Sequence, residues 1–486
     1  MQLFWHRRDL RIPDNRGLAE AASAATAPNG DTSEAEATDT DAPNEGVLSL
    51  FVFDDQILDH AGAPRVAFML DALDALRTQY RDAGSDLLVR FGDSSDVVPD
   101  VARAFDVDRV VWNHDYSGLA EERDDAVRAA LEAESIPYDA FHDAVLHEPG
   151  TIRTNEGDPY SVYSYFWKKW RDREKHAPAK TPSDDLLADV TDDEELPTVA
   201  DLGFSEPDAN LPDAGTTPAR ERLSDFLDED VYRYADARDY PAENATSRLS
   251  QDLTFGTIGI REVHAAVMDA LDDASDEDER ESVREYESQL AWREFYTQVL
   301  YFQQSVVTQN YKSYAEPIAW RNDQDELAAW KTGETGYPIV DAGMRQLQAE
   351  AFMHNRVRMI VASFLTKDLL WDWRAGYDHF REHLVDHDTA NDNGGWQWAA
   401  STGTDAQPYF RIFNPQTQGE RYDPDAEYIT RYVPELQAVP AEQIHDWPEL
   451  DQDVRDELAS DYADPIVEHS ERRELAIELF EAARGD

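Results

Sequence analysis

The first third of the chain alternates short apolar runs with longer stretches in which apolar side chains recur at three- and four-residue intervals. The apolar runs predict strands at positions 3–5, 48–53, 87–91, 109–112 and 138–141. The helical spacing predicts helices over positions 65–81, 97–105 and 120–135. Strands that alternate with helices imply a parallel sheet covered on both faces. Residues 1–145 are therefore expected to form an α/β domain with a Rossmann-like sheet, although no glycine-rich dinucleotide fingerprint occurs.

Two polar regions interrupt this pattern before a long helical region begins. Residues 21–46 are rich in Ala, Thr, Asp and Glu and predict an acidic surface insertion. Residues 146–219 are expected to connect two domains, because their second part, 176–218, is rich in Pro, Asp and Glu and predicts a segment that crosses the surface. From residue 220 onwards the apolar spacing is helical, as in 344–351 and 357–369. Residues 220–486 are expected to form an all-α domain.

One polar, glycine-rich stretch of the helical region, 391–405, contains two tryptophans, Trp396 and Trp398. Its Asn-Asp-Asn-Gly-Gly run is a poor helix interior, and an exposed loop would rarely contain two tryptophans. One interpretation is a tight turn that leads into a helix. The other is a backbone that approaches a flat ligand closely, with aromatic rings beside it.

Composition indicates a folded protein adapted to high salt. Asp and Glu number 102 against 44 Lys and Arg, which gives a formal net charge of -58. At molar salt the Debye length falls to about 3 Å, so self-repulsion is screened. We therefore expect a cytoplasmic, monomeric protein from a halophile. The absence of cysteine excludes disulfides and Cys-based metal sites, no metal is expected, and no apolar run is long enough to span a membrane.

Several segments, read together with 391–405, resemble the DNA photolyase/cryptochrome family of flavoproteins, and most closely its class I members that repair cyclobutane pyrimidine dimers. The segments that carry this resemblance are 5–15, 246–250, 292–296, 354–359 and 384–388. The resemblance covers nearly the whole chain except the acidic insertion and the connector. It implies an α/β domain that binds an antenna pigment and an all-α domain that binds FAD.

The resemblance also implies which residues hold the FAD. The hydroxyls of 246–250 at a helix start would suit a diphosphate, and a cluster of helix-capping residues is the alternative. For Asn355, Arg358, Asp386 and Asp388, the alternatives are a capping Asn, a surface Arg and two solvated carboxylates. The full implied FAD-binding set is Tyr234, Thr246, Ser247, Arg248, Leu249, Ser250, Tyr286, Asn355, Arg358, Asp386, His387, Asp388 and Asp392.

The implied activity is light-driven repair of cyclobutane pyrimidine dimers in UV-damaged DNA by electron transfer from excited, reduced FAD. The dimer must be flipped out of the duplex, and aromatic faces are expected to receive it. Trp292 and Trp398 match the family's stacking residues, with ordinary core packing as the alternative. The implied DNA-binding set is Arg238, Gln289, Trp292, Arg293, Asn355, Arg356, Met359, Trp398, Arg411 and Gln418. The 6-4 photoproduct stays open as the alternative lesion.

Two further features follow from the resemblance. Trp396, Trp373 and Trp320 lie 23 and 53 residues apart, which matches the family's electron-transfer tryptophans; three core tryptophans are the alternative. The segment 112–116, followed by Arg123, resembles members whose antenna is an 8-hydroxy-5-deazaflavin rather than a folate. We expect this antenna in the crevice between the two domains.

Three residues depart from the pattern of repair enzymes. Asp392 stands where dimer-repairing members have Asn, Gln289 replaces a Glu that contacts the dimer, and Tyr286 replaces a Trp. An Asp at 392 could protonate a flavin radical, whereas Gln289 can donate a hydrogen bond but no proton. Both residues are therefore expected to influence catalysis. A cryptochrome-type blue-light photoreceptor is the alternative function.

Overall fold

The computed structural model describes residues 1–25 and 46–485 and begins with an α/β half. Its elements are β1 (Gln2–His6), α1 (Arg16–Ala25), β2 (Val47–Phe53), α2 (Asp55–Leu58), α3 (Ala63–Asp82), β3 (Leu87–Phe91), α4 (Ser94–Ala104), β4 (Arg109–Asn113), α5 (Gly118–Glu134) and β5 (Tyr138–Phe141). Each predicted strand is confirmed. The helix predicted over 97–105 begins earlier, at Ser94, because Asp93 caps it there.

The five strands form one parallel sheet in the order β3-β2-β1-β4-β5. Alternation along β1 sends Leu3 and Trp5 into the core under α4 and α5, and Phe4 into the opposite core with α1 and α3. Both faces of the sheet are therefore covered, as the sequence pattern predicts.

The named elements after β5 are helices, joined by irregular segments. Apart from short 3-10 turns, these elements are α6 (Tyr163–Asp172), α7 (Thr216–Asp228), α8 (Tyr234–Ala237), α9 (Ser250–Phe255), α10 (Ile260–Asp273), α11 (Glu277–Phe302), α12 (Gln324–Thr332), α13 (Pro338–Glu350), α14 (Asn355–Ser363), a π-helical turn (Phe364–Asp368), α15 (Trp373–His383), α16 (Thr389–Ala399), α17 (Pro415–Tyr422), α18 (Glu427–Tyr432), α19 (Ala441–His445), α20 (Gln452–Ala459) and α21 (His469–Arg484). The predicted division into an α/β half and an all-α half is confirmed. No helix among the described residues is both long and apolar enough to cross a bilayer.

The stretch 391–405 corrects one expectation. Its Asn-Asp-Asn-Gly-Gly run is not a turn before a helix but lies within α16. The side chain of Asp388 caps this helix by accepting a hydrogen bond from the backbone N–H of Asn391. A Cβ on Gly394 would lie 2.2 Å from the ring of Tyr296 on α11, so only glycine allows the two helices to approach this closely.

The polar segments also differ from expectation in part. The first five residues of the predicted insertion 21–46 continue α1 to Ala25, and 26–45 lie outside the described residues. The segment 176–218 does not simply cross the surface. Leu187 and Ala188 are buried, and a bridge from Val47 to Leu187 attaches this segment to the sheet.

Candidate functional site

A buried cluster of charges lies where the start of α14 meets the segment before α16. Arg358 donates from Nη2 to both carboxylate oxygens of Asp386, at 2.9 and 2.8 Å, and its Nη1 lies 3.5 Å from Oδ1 of Asp392. Burial would lower the pKa of Arg358, but the two carboxylates raise it above its ordinary value. Four of the predicted flavin-contacting side chains, including His387, are thus brought together.

His387 completes this cluster. Its Nδ1 lies 2.6 Å from Oδ2 of Asp392, and both side chains are buried. Burial lowers the pKa of His387, against the opposing effect of Asp392. The imidazole is therefore neutral near pH 7, and its Nδ1–H donates to the carboxylate.

Asp388 turns away from this cluster toward the α/β half. It caps α16 and forms an ion pair of 2.8 Å with Arg8, which follows β1. Burial would raise the pKa of Asp388, but Arg8 and Arg293 hold it well below the ordinary carboxyl range. The side chain predicted to contact the flavin therefore ties the two halves together.

The predicted phosphate-binding segment, 246–250, leads into α9. The backbone of Arg248 adopts the left-handed conformation, with φ of +51°. Residues other than Gly, Asn and Asp rarely adopt this conformation. The guanidinium of Arg248 lies 3.7 Å from the ring centroid of Phe352 and 3.2 Å from Glu350. The hydroxyls of Thr246 and Ser250 make no hydrogen bond within the part of the chain that the structure describes. Free hydroxyls beside a strained backbone are a donor set that fits a diphosphate.

Aromatic side chains support this segment from α8 and α11. The hydroxyl of Tyr286 donates to Oγ of Ser247 at 2.9 Å, and the ring of Tyr234 packs edge-on against Tyr286 at 5.2 Å. Leu249 is buried beneath the segment. Burial raises the pKa of Tyr234 to about 12, so its hydroxyl stays protonated.

The predicted lesion-stacking residues lie on α11 and α16. Trp292 is half-buried and stacks on Tyr163, with ring centroids 3.6 Å apart and an interplanar angle of 10°. Trp398 is half-buried beside Phe413, at 6.3 Å. The amide of Gln289 donates to Oε1 of Glu285 at 3.1 Å and to Oγ of Ser288 at 3.0 Å.

Asn355 and Met359 lie one helical turn apart at the start of α14. Asn355 is exposed, and its Nδ2 lies 3.9 Å from Sδ of Met359. The two therefore offer an amide and an apolar side chain on the same face of the helix.

The predicted phosphate-binding cations differ in their surroundings. Arg238 is ion-paired to Glu285, and Arg356 is ion-paired to Asp239 at 2.7 Å. Arg411 is exposed, and Oε1 of Gln418 is buried without a hydrogen-bond partner in the described structure. Binding of DNA phosphates would compete with the two carboxylates.

Arg293, a predicted DNA contact, makes hydrogen bonds to the protein backbone. Its guanidinium donates to the carbonyl oxygens of Ala144, at 2.6 Å, and Leu253, at 3.1 Å. Consecutive residues of a helix point about 100° apart, so Arg293 faces the α/β half when Trp292 faces Tyr163. In this structure Arg293 therefore connects α11 to Ala144 of the α/β half and to Leu253 of α9, and its contact with DNA stays a prediction.

The three predicted electron-transfer tryptophans differ in burial. Trp396 and Trp373 are fully buried, whereas Trp320 is half-buried beside Phe480. Trp396 packs so closely on α15 that a Cβ on Gly376 would lie 2.0 Å from its ring. Trp373 donates from Nε1 to Oδ1 of Asn310 at 2.9 Å.

Sequence reasoning missed three residues at this site. Trp330 lies 6.0 Å from Trp396, Tyr163 covers Trp292, and Glu285 holds both Arg238 and Gln289. The aromatic composition of 160–170 was the one available signal for Tyr163. No local pattern distinguishes Trp330 or Glu285 from ordinary helix residues.

A cavity of about 470 Å³ lies between the two halves. Asp115 and Arg123 from the predicted antenna region line it, whereas Trp112 is buried in the sheet core. Aromatic and cationic side chains of both halves complete its lining, among them Trp5, Phe53, Arg65, Tyr377 and His387.

Comparison with known proteins places these features in a family. Residues 2–183 match the model described as DNA photolyase, and residues 286–482 match the model described as the FAD binding domain of DNA photolyase. The chain is 64% identical over 490 residues to a deoxyribodipyrimidine photo-lyase from Halobacterium salinarum, with 100% of both chains covered. It is 41% identical to the photo-lyase of that name from Synechococcus, covering 98% of this chain and 96% of the relative.

Solved structures agree with this assignment. A bacterial class III photolyase from Agrobacterium tumefaciens superposes with a TM-score of 0.88 at 33% identity, covering 100% of this chain and 98% of that one. An archaeal photolyase from Sulfolobus tokodaii, described as containing two FAD molecules, superposes with a TM-score of 0.81 at 33% identity, covering 99% of both chains.

Proposed function

The chain belongs to the DNA photolyase family, and from that membership we propose that it is a deoxyribodipyrimidine photo-lyase, a light-driven enzyme that repairs cyclobutane pyrimidine dimers in DNA. The observation that carries this proposal is the 64% identity to the Halobacterium salinarum photo-lyase over the full length of both chains. The same relative supports the expectation of a halophilic protein, which the net charge of -58 also favours.

FAD is the cofactor, since residues 286–482 match the FAD-binding model of the family. When bound and reduced, FAD supplies the electron that opens the two cyclobutane bonds after light absorption. We propose that the free hydroxyls of Thr246 and Ser250 bind its diphosphate. Arg358, fixed by Asp386, would present a positioned guanidinium to the flavin beside Asp392 and His387.

We propose that the DNA lesion binds over α11, α14 and α16. Trp292 and Trp398 would stack against the flipped pyrimidines. The exposed amide of Asn355 and the half-buried Met359 would form the adjacent surface, while Arg238, Arg356 and Arg411 would bind flanking phosphates. Gln289 would orient the dimer by hydrogen bonding, because its amide carries no transferable proton.

We propose that the antenna pigment binds in the cavity between the two halves. Its volume and its aromatic and cationic lining are suited to a three-ring chromophore with an ionisable hydroxyl, as in 8-hydroxy-5-deazaflavin. A second flavin is the alternative, since the Sulfolobus tokodaii relative is described as containing two FAD molecules. Extraction of the protein purified from a deazaflavin-producing host, followed by chromatography, separates the two.

The domain division proposed for these roles is 1–145 for the antenna, 146–219 as the connector and 220–486 for FAD and the lesion. The decisive experiment is illumination of the reduced protein with dimer-containing DNA in molar KCl, with intact thymines as the readout. Repair that requires both light and reduction supports the enzyme. Light-dependent changes in flavin absorption without any repaired thymine would instead support the photoreceptor alternative.

A further inference from the structure

Three side chains with metal-ligating atoms converge on the last turn of α15. They are His379, Glu382 and His383, and one ligand atom from each lies within 4.8 Å of the other two. Residues at positions i, i+3 and i+4 share one face of a helix, so this convergence follows from the sequence spacing. Two histidines four residues apart on a helix are a recurrent arrangement for binding Zn²⁺.

The hydrogen bond of His383 prepares it as a ligand. Its Nδ1 lies 2.9 Å from the carbonyl oxygen of His379. Because a carbonyl oxygen can only accept, Nδ1 carries the proton and Nε2 holds a free lone pair. A ring N–H that donates to a backbone carbonyl is the usual support of a metal-binding histidine.

His379 brings a second unused nitrogen. The residue is only 6% exposed, and its Nε2 is buried without a hydrogen-bond partner in the described structure. An unsatisfied buried polar atom is uncommon and calls for a partner.

We propose that His379, Glu382 and His383 form a binding site for one divalent cation of the borderline class, such as Zn²⁺, with water in the remaining position. Tetrahedral Zn²⁺ would bring the ligand atoms to about 3.4 Å from one another, given Zn–N distances of about 2.1 Å. Glu382 is exposed and His383 is half-buried, so a change of rotamer at these two residues would bring the ligand atoms to this separation. The site lies at the C-terminal end of α15, where the helix dipole favours a cation.

The proposed metal site lies close in sequence to the proposed flavin contacts. Helix α15 begins at Trp373 and ends at His383, immediately before the segment that contains Asp386, His387 and Asp388. A cation bound to both histidines would cross-link the last turn of α15. The bound cation would thereby stabilise the end of α15, which leads into the segment with the proposed flavin contacts. It would take no part in the chemistry.

The test is equilibrium dialysis of the chelator-treated, FAD-containing full chain against Zn²⁺ in molar KCl, with metal analysis of the protein. High salt screens diffuse attraction to the acidic surface, whereas imidazole coordination persists. The variants are His383→Ala and Glu382→Gln. The matched control is His142→Ala, since His142 lies beside His114 as His383 lies beside His379, with ring centroids 4.4 and 4.1 Å apart.

We expect the wild type and His142→Ala to bind one Zn²⁺ per chain, and excess Mg²⁺ to leave it bound. His383→Ala should weaken binding at least tenfold, Glu382→Gln should weaken it less, and Zn²⁺ should raise the melting temperature of the wild type but not of His383→Ala. Both substituted residues are at least partly exposed, and far-UV circular dichroism with flavin content verifies the fold. Equal zinc affinity in wild type and His383→Ala, or displacement of the zinc by Mg²⁺, would overturn the proposal.

Discussion

The ring of Tyr163 lies face to face on Trp292, with 3.6 Å between the centroids. The hydroxyl of Tyr163 donates to the carbonyl oxygen of Ser288 at 2.5 Å, which fixes the tyrosine to the helix that carries the tryptophan. One face of Trp292 is therefore occupied, and its rotamer is held by the stack. A base that stacks on Trp292 must use the other face or the ring edge.

This stack predicts unequal effects of two substitutions on lesion binding. Trp292→Ala removes the platform and should raise the Kd for dimer-containing DNA by the equivalent of about 1–3 kcal/mol, the usual contribution of one base–aromatic stack. Tyr163→Phe keeps the ring and should bind nearly as the wild type does. Fluorescence anisotropy with dimer-containing and undamaged strands measures both. Wild-type affinity in Trp292→Ala would remove this residue from the lesion site.

The ion pair between Arg238 and Glu285 predicts that a carboxylate restrains DNA binding. Glu285→Gln should release the guanidinium and remove repulsion of phosphate, which should tighten binding a few-fold, since a surface ion pair contributes about 0–1 kcal/mol. The salt dependence should also steepen, because one more cation is free to replace counterions. The matched control is Glu277→Gln. It removes the carboxylate charge from an exposed ion pair with Arg284 on the same helix. Equal effects of the two substitutions would mean that only net charge matters.

The family resemblance implies that Trp396, Trp373 and Trp320 carry electrons to the flavin, and in the structure the first two are buried and Trp320 is half-buried. Trp396→Phe should block photoreduction of oxidised FAD and leave repair intact once the flavin is reduced chemically. Trp330→Phe is the matched control, because Trp330 is equally buried and lies 6.0 Å from Trp396. Photoreduction monitored by absorbance distinguishes them. A block in Trp330→Phe with none in Trp373→Phe would move the path to Trp330.

The residues that the sequence could and could not predict differ in the range of their contacts. Strands such as 87–91 follow from apolar runs, which depend on neighbours in the chain. The helix over 391–395 could not be predicted, because Gly394 is tolerated only through its contact with Tyr296, almost a hundred positions earlier. The interdomain contacts of Arg293 and Asp388 have the same origin, since their partners, Ala144 and Arg8, lie in the other half of the molecule.

His354 predicts part of the pH dependence of stability. Its Nδ1 accepts from the backbone N–H of Arg356 and caps α14, and burial lowers its pKa to about 4. The pKa of a histidine in the unfolded chain is about 6.5. Between the two pKa values the unfolded chain binds more protons than the folded one, so the free energy of unfolding falls as pH falls. The loss is at most about 1.4 kcal/mol per pH unit.

His354→Asn keeps a capping acceptor but does not titrate, so its stability should fall less steeply between about pH 6.5 and 5 than that of the wild type. Urea unfolding in molar KCl measures both curves. Burial also lowers the pKa of other histidines and raises the pKa of two carboxyl groups. Their contributions to the pH dependence are the same in both proteins and cancel when the curves are compared. These groups are His114, His147, His379, Glu294 and Asp368. Parallel curves would show that His354 is protonated at no energetic cost in the folded state.

The contact between His387 and Asp392 gives the most discriminating prediction for function. An Asn at position 392 can still accept the Nδ1–H of His387, but it carries no charge toward Arg358 and cannot transfer a proton. Asp392→Asn should therefore retain FAD and repair dimers after chemical reduction, while the protonation state that the flavin reaches under illumination changes. Absorption spectra during illumination and the yield of repaired thymines measure the two effects separately. Asp386→Asn is the control, because it removes a carboxylate from Arg358 without touching His387. Should the wild type fail to repair dimers while Asp392→Asn succeeds, Asp392 would be the residue that makes the native protein a light sensor instead of a repair enzyme.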